Sequence, residues 1–138
     1  MITIKEVNIT SKTILLIDDE VSVREIVGLC LKDLGGWDVV IADSLLDGLQ
    51  KAELFKFDAV VLDLSIHAMN SFRFIDKLRN NPQFQAVPAV LLSATRWIDP
   101  QILQRYQIAG VILKPFDPVT LSCDIAAILG WKSMPIDD

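Results

Sequence analysis

Side chains able to carry phosphate and metal chemistry follow four short apolar runs in the sequence. They are Asp18 and Asp19 after the first run, Asp63 after the third, Ser93 after the fourth and Lys114 after the fifth. Clustered carboxylates repel one another, so a site that keeps these acids ionised needs a cation. Oxygen ligands without His or Cys select a hard ion, and Mg²⁺ suits a few carboxylates combined with water and phosphate.

The same residue types also suit the transfer of a phosphoryl group. A carboxylate such as that of Asp63 can act as a nucleophile and form an aspartyl phosphate. The Lys114 ammonium and the metal would neutralise charge on the transferring group, while the Ser93 hydroxyl donates a hydrogen bond to it. The elements of the fold must therefore bring four separate parts of the chain together.

Five apolar runs, brief and rich in β-branched residues, are typical of strands. They are 13–17 (TILLI), 37–41 (WDVVI), 59–62 (AVVL), 87–92 (VPAVLL) and 110–113 (GVIL). Continuous runs of this kind indicate strands that are buried on both faces of a parallel sheet.

Apolar residues recur at helical spacing between the runs. The predicted stripes are Val23, Ile26, Val27, Cys30 and Leu34; Leu45, Leu49 and Ala52; Ser71, Phe74, Ile75 and Leu78; Leu103 and Tyr106; and Leu121, Ile125, Ile128 and Leu129. Gly35-Gly36 ends the first helix, Asn80-Asn81-Pro82 the third and Gly130 the last.

Short polar motifs predict where three of these helices begin. Asp43 or Ser44 caps the second helix, and the fourth and fifth begin at Asp99-Pro100 and Asp117-Pro118. Strict alternation of strand and helix implies a parallel sheet with helices on both faces. Ligands of such sheets bind beyond the carboxyl ends of the strands, where all the candidate site residues lie.

Four segments of the sequence resemble the receiver domain family of response regulators. They are 14–20 (ILLIDDE), 60–64 (VVLDL), 91–94 (LLSA) and 111–116 (VILKPF), within a match that spans 12–129. The resemblance implies an α/β, flavodoxin-like (βα)₅ fold, a doubly wound parallel sheet of strand order 2-1-3-4-5 in a three-layer α/β/α arrangement. It also implies a receiver at 12–130, an N-terminal extension at 1–11, and a loosely ordered tail or linker start at 131–138.

The resemblance assigns a role to each candidate residue. Asp18 and Asp19 resemble the acidic pair that binds Mg²⁺, the second more directly, and Asp63 resembles the phosphoacceptor. The backbone carbonyl of Ser65 resembles the third metal ligand. Ser93 resembles the switch hydroxyl, and Lys114-Pro115 resembles a Lys-Pro pair whose peptide bond is cis in the family.

The sequence departs from the family in two places. His67 and Ser71 replace the usual proline and glycine of the acceptor loop, and the switch aromatic falls on Val111. A valine has one stiff torsion and no ring to swing between exposed and buried positions. We therefore expect activation to reshape the 94–99 loop, which holds Trp97, more than the surface near Val111.

The resemblance implies a phosphorelay protein that takes a phosphoryl group from a sensor histidine kinase or a histidine phosphotransfer protein, and not an enzyme with a separate substrate. An aspartate-nucleophile phosphatase of the haloacid dehalogenase type is the enzyme alternative, but Ser65 stands where that type has a second acid. A pseudo-receiver that takes no phosphate is disfavoured by the complete set of Asp18, Asp19, Asp63 and Lys114.

The composition is typical of one compact domain of 138 residues, 51% hydrophobic and 22% charged. A net charge of −5 argues against direct binding of nucleic acid or of an anionic membrane. No apolar stretch approaches the roughly 20 residues that span a bilayer, and the N-terminus lacks the apolar core of a signal peptide. Cys30 and Cys123 indicate buried thiols in a reducing compartment, so a cytoplasmic location is predicted.

Overall fold

The computed structural model describes residues 12–18, 20–63, 68–94 and 98–131. The strands in these ranges are β1 (Thr13–Ile17), β2 (Asp38–Ala42), β3 (Ala59–Asp63), β4 (Ala89–Ser93) and β5 (Ile108–Leu113). The α-helices are α1 (Val21–Leu29), α2 (Leu45–Leu54), α3 (Ala68–Asn80), α4 (Pro100–Arg105) and α5 (Leu121–Leu129). A π-helical turn, Cys30–Leu34, extends α1, and a 3₁₀ turn, Pro82–Phe84, follows α3.

The five strands form one parallel sheet in the order β2-β1-β3-β4-β5, which confirms the predicted topology. Successive residues of the inner strands point to opposite faces of the sheet. Leu15 and Ile17 of β1 therefore pack with residues of α2 and α3, while Ile14 and Leu16 pack with residues of α1 and α5. The predicted three layers are thus confirmed.

The prediction of strands buried on both faces holds for only part of the sheet. The β3 and β4 strands are buried along their whole length. In β2 and β5, by contrast, most residues are half-buried or exposed. These two strands lie at the edges of the sheet, where the flanking helices cover less of each face. Their apolar sequences did not reveal this difference.

Two of the predicted helix starts are correct, and one is wrong. Ser44 caps α2, where its hydroxyl accepts a hydrogen bond from the Asp47 backbone N–H at 3.1 Å. Asp99 caps α4. The fifth helix, however, begins at Leu121 and not at Asp117-Pro118. Asp117 accepts a hydrogen bond from the Val119 N–H at 2.9 Å, and this bond closes a turn before the helix.

The first predicted stripe also contains two errors. Ile26 and Leu34 were expected in the core but are 46% and 43% exposed. Val27 and Cys30 of the stripe are buried as predicted, and Leu31, which the stripe did not include, is buried with them. The π-helical turn adds residues to the last turn of the helix, and so rotates Leu34 away from the core.

Trp131 follows α5 and is packed against the domain. Its ring meets Trp37 edge-on, with the ring centroids 5.3 Å apart. The Lys12 ammonium lies 5.4 Å from the centre of the Trp131 ring, a distance at which a cation is attracted to an aromatic face. Within the described ranges, none of the helices has the length and apolar character of a membrane span.

Candidate functional site

The carboxyl ends of four strands meet at one edge of the sheet. Asp18 directly follows β1, Asp63 ends β3, Ser93 ends β4 and Lys114 directly follows β5. The strands are parallel and paired in the order β1-β3-β4-β5, so their last residues are neighbours. The structure therefore brings together these four side chains, as the sequence predicted, and buries three of them almost completely.

Asp63 and Lys114 form the central ion pair of this edge. The Lys114 Nζ donates to Asp63 Oδ2 at 2.5 Å. The Asp63 side chain has no solvent exposure, and that of Lys114 keeps 19%. The Lys114 backbone N–H donates to the Ser93 carbonyl at 2.8 Å, which fixes the base of the lysine beside β4. The Lys114-Pro115 peptide bond is cis, as the resemblance implied.

Asp18 is the second buried carboxylate of the site. Its Oδ1 accepts a hydrogen bond from the Glu20 backbone N–H at 2.9 Å. Its Oδ2 is buried and has no hydrogen-bond partner among the residues that the structure describes. Burial is the largest of the causes that together raise the pKa of Asp18 to about 7, and the nearby Asp63 carboxylate acts in the same direction. The Glu20 N–H and the Lys114 charge lower this pKa but do not offset the burial.

The charges of the three buried or half-buried ionisable groups do not balance. Asp18 and Asp63 would together carry two negative charges when ionised, against the single positive charge of Lys114. The unpartnered Oδ2 of Asp18 is a hard oxygen donor beside this excess charge. Such a donor set suits a small divalent cation that prefers oxygen ligands. Among the described residues, no three acidic, His or Cys side chains are grouped so that they could hold a metal ion by themselves.

Two of the predicted site residues, Asp19 and Ser65, lie outside the described residues, as do His67 and Trp97. One contact of the site was missed by the sequence analysis. The Arg24 guanidinium donates to the Asp18 backbone carbonyl at 3.0 Å. Its position one helical turn beyond the acidic pair was the only available signal. This contact fixes the backbone that presents the Asp18 carboxylate.

Val111 of β5 stands at the position where the resemblance implies a switch aromatic. Val111 is half-buried and packs against the core on the side of α2, α3 and α4. The aromatic contact of this region lies elsewhere, between Phe72 of α3 and Tyr106 at the end of α4. Their rings stack at a centroid distance of 4.7 Å and an interplanar angle of 23°.

Comparison with known proteins places these features in one family. The profile described as response regulator receiver domain matches residues 14–126. Response regulator Rre1 of Synechocystis sp. is 31% identical over 127 residues, which cover 91% of this chain and 54% of Rre1. The chain thus spans about half the length of this relative.

Solved structures of similar fold include a chemotaxis response regulator. The chemotaxis response regulator CheY4 of Vibrio cholerae has a TM-score of 0.78 and 28% identity, over 86% of this chain and 99% of that one. The receiver domain of the sensor histidine kinase PA1611 of Pseudomonas aeruginosa, with a magnesium ion coordinated in its active site cleft, has a TM-score of 0.73 and 20% identity. The match covers 88% of this chain and 99% of that one.

Proposed function

This chain belongs to the response regulator receiver domain family, and we propose that it accepts a phosphoryl group on Asp63. The phosphoryl donor is a histidine kinase or a histidine phosphotransfer protein, the partners with which receiver domains interact. The observation that carries the proposal is the Lys114 ammonium 2.5 Å from the buried Asp63 carboxylate, beside a second buried acid. The receiver spans 12–130, flanked by an extension at 1–11 and a tail at 131–138, and acts in the cytoplasm.

Asp63, Lys114 and Ser93 have separate roles in the transfer. One carboxylate oxygen of Asp63 attacks the phosphorus of a phosphohistidine. The P–N bond breaks, and its electron pair stays on the histidine ring. Lys114 orients the carboxylate before the reaction and neutralises part of the charge on the phosphoryl oxygens afterwards. Ser93, at the end of the adjacent strand, donates a hydrogen bond to one of those oxygens. Slow hydrolysis by water then resets the domain.

We propose Mg²⁺ as the cofactor of this site. Asp18 and Asp63 would hold it, together with Asp19 and the Ser65 carbonyl. The fit rests on the buried Asp18 Oδ2, which lacks a hydrogen-bond partner in the described part of the chain, and on the excess of carboxylate charge over the Lys114 ammonium. When bound, the ion neutralises negative charge on the phosphoryl group. The PA1611 receiver with its coordinated magnesium ion supports the same assignment.

Beryllofluoride binding tests the proposal directly, because this anion mimics a phosphoryl group on a carboxylate. We expect saturable binding to the full chain that requires Mg²⁺, with no turnover of phosphate ester substrates. Turnover of such esters would favour a phosphatase, and failure to bind beryllofluoride would favour a receiver that takes no phosphate.

Asp18→Asn should stabilise the metal-free domain and abolish its response to Mg²⁺. The folded-state pKa of Asp18 is raised from 3.8 to about 7, so the ionised carboxylate destabilises the fold. This cost grows as the pH rises from about 4 to 7 and is complete above 7. Removing the charge should raise the free energy of unfolding at pH 8 by up to roughly 4 kcal/mol. Urea denaturation with and without Mg²⁺ measures both effects.

Asp38→Asn is the matched control for this change, because Asp38 is an exposed acid at the opposite edge of the sheet. It should leave both the stability and the Mg²⁺ response near those of the wild type. An Asp18→Asn protein that is less stable than the wild type, or that Mg²⁺ still stabilises, would contradict the assignment.

Val111→Ala should leave the response to phosphorylation almost unchanged. Truncation of this half-buried side chain costs about 1 kcal/mol of stability. A ligand shifts an equilibrium only by its different interactions with the two states, however, and valine offers no second position. We expect the beryllofluoride affinity to change by less than about twofold. A heteronuclear NMR titration measures it, and a loss of the spectral changes in α4 would show that Val111 carries the switch.

A further inference from the structure

We propose that the groove between α2 and α3 binds an acidic amphipathic helix of a partner protein. The groove begins as a depression of about 320 Å³ whose lining includes Leu46, Leu49 and Lys77. A second depression of about 240 Å³ continues it towards the ends of both helices. The two share Leu49 and Lys77, so they adjoin along the same pair of helices, and the groove consists of both depressions together. This surface is separate from the phosphoacceptor site, and the inference does not depend on phosphoryl transfer.

The floor of the groove exposes apolar surface that the domain itself does not cover. Leu46 of α2, which lines the first depression, is 67% exposed. The lining residues from Leu45 to Glu53 extend over about 12 Å of helix. An amphipathic helix of two to three turns fits this length, with apolar anchors three and four residues apart.

The charge on the rim decides the chemistry of the occupant. Arg73 and Lys77 line the α3 side of the groove, and both are exposed. Neither forms an ion pair within the described part of the chain. Asp76 of the same helix lines a different cleft, with Arg79 and Tyr106. These two cations attract acids, although the whole chain carries a net charge of −5. The groove therefore favours a partner with acids beside its apolar anchors.

The charge at the far end of the groove determines the direction in which the partner helix binds. Glu53 lines the second depression, at the opposite end from Arg73. An acid of the partner placed there would be repelled, whereas an acid near Arg73 and Lys77 would be attracted. The partner helix should therefore carry its acids towards the end of the groove that is lined by Leu45 and Arg73.

A pair of synthetic peptides tests this inference on the full chain. Both are about 16 residues long, with leucines three and four residues apart. One carries glutamates beside the leucines near one end, and the other carries lysines at the same positions. We expect the acidic peptide to shift NMR signals of α2 and α3, and to bind at least about tenfold more tightly than the lysine peptide.

Matched variants locate the binding. Leu46→Asp and the double variant Arg73→Glu/Lys77→Glu should each weaken binding of the acidic peptide at least about tenfold. Leu29→Asp and Lys32→Glu change similarly exposed residues on α1 and its π-helical turn, and should leave it unchanged. All five positions are exposed, so each variant should fold.

Three outcomes would overturn the inference. One is the absence of signal shifts in α2 and α3 at about 1 mM acidic peptide, a concentration that half-fills even a weak site. Another is equal binding of the two peptides. The third is a dimer in sedimentation velocity that Leu46→Asp dissociates, because the groove would then bind a second copy of this chain.

Discussion

Replacement of Asp63 by Asn is expected to abolish phosphorylation of the domain. An amide of the same size keeps the shape of the buried site but lacks the nucleophilic carboxylate oxygen. The fraction of protein labelled by acetyl phosphate with Mg²⁺ should fall by at least about 100-fold. Intact-protein mass spectrometry measures it as the loss of the species that carries one phosphoryl group.

Asp76→Asn provides the control for this experiment, because it removes an exposed acid of α3 and should label like the wild type. The Asp63→Asn protein is itself expected to fold. The change removes one of two neighbouring buried carboxylates, and Lys114 keeps 19% of its side-chain surface in contact with water. Equal labelling of wild type and Asp63→Asn would show that another residue is the acceptor.

Much of the site could be predicted from the sequence because of a simple property of parallel sheets. A parallel sheet gathers the carboxyl ends of all its strands at one edge. The residues that follow the apolar runs must then be neighbours, whatever the helices between them do. The lysine after β5 and the acid that ends β3 are 51 residues apart, yet they form the shortest ion pair found among the described residues.

Other features could not be predicted, because they depend on the position of an element in the finished fold. The sequences of β2 and β5 are as apolar as those of the inner strands, but only their places at the sheet edges leave them partly exposed. The start of α5 depends on a turn closed by the Asp117 side chain. An acid followed by proline favours such a turn as well as a helix start.

The electrostatic state of the site also emerges only in three dimensions. In the sequence, Asp18 and Asp63 are two ordinary acids that a metal would keep ionised. In the fold, both are fully buried, and burial dominates the pKa of Asp18. Ionisation of Asp18 therefore destabilises the metal-free domain at neutral pH. Lys114, which is bonded to Asp63, partly offsets this negative charge.

Replacement of Lys114 by Met should destabilise the metal-free domain and slow phosphorylation. Methionine keeps the unbranched shape of the side chain but leaves Asp63 without its ammonium partner. Removing one member of a buried ion pair costs about 3 kcal/mol, and the partial exposure of Lys114 places the expected loss at or below this value. Phosphorylation by acetyl phosphate should also slow by at least about tenfold, because charge on the transferring group is less well neutralised.

The dependence on pH identifies the cause of this destabilisation. The Lys114 charge lowers the pKa of Asp18, which is about 7, so the Asp18 carboxyl takes up a proton more readily once the ammonium is gone. The loss of stability should therefore be largest above pH 7 and should shrink as the pH falls. Lys56→Met, which changes an exposed lysine, should be close to neutral at every pH.

A double variant separates the structural and chemical roles of Lys114. Asp18→Asn added to Lys114→Met removes one of the two buried negative charges, so the free energy of unfolding at pH 8 should recover most of its loss. Phosphorylation should stay slow, because the double variant lacks both the Lys114 ammonium and a proposed Mg²⁺ ligand. A double variant no more stable than Lys114→Met would show that Asp18 and Lys114 do not share one charge balance. A double variant that regains the wild-type rate would contradict the proposed roles of both Lys114 and Asp18 in the transfer.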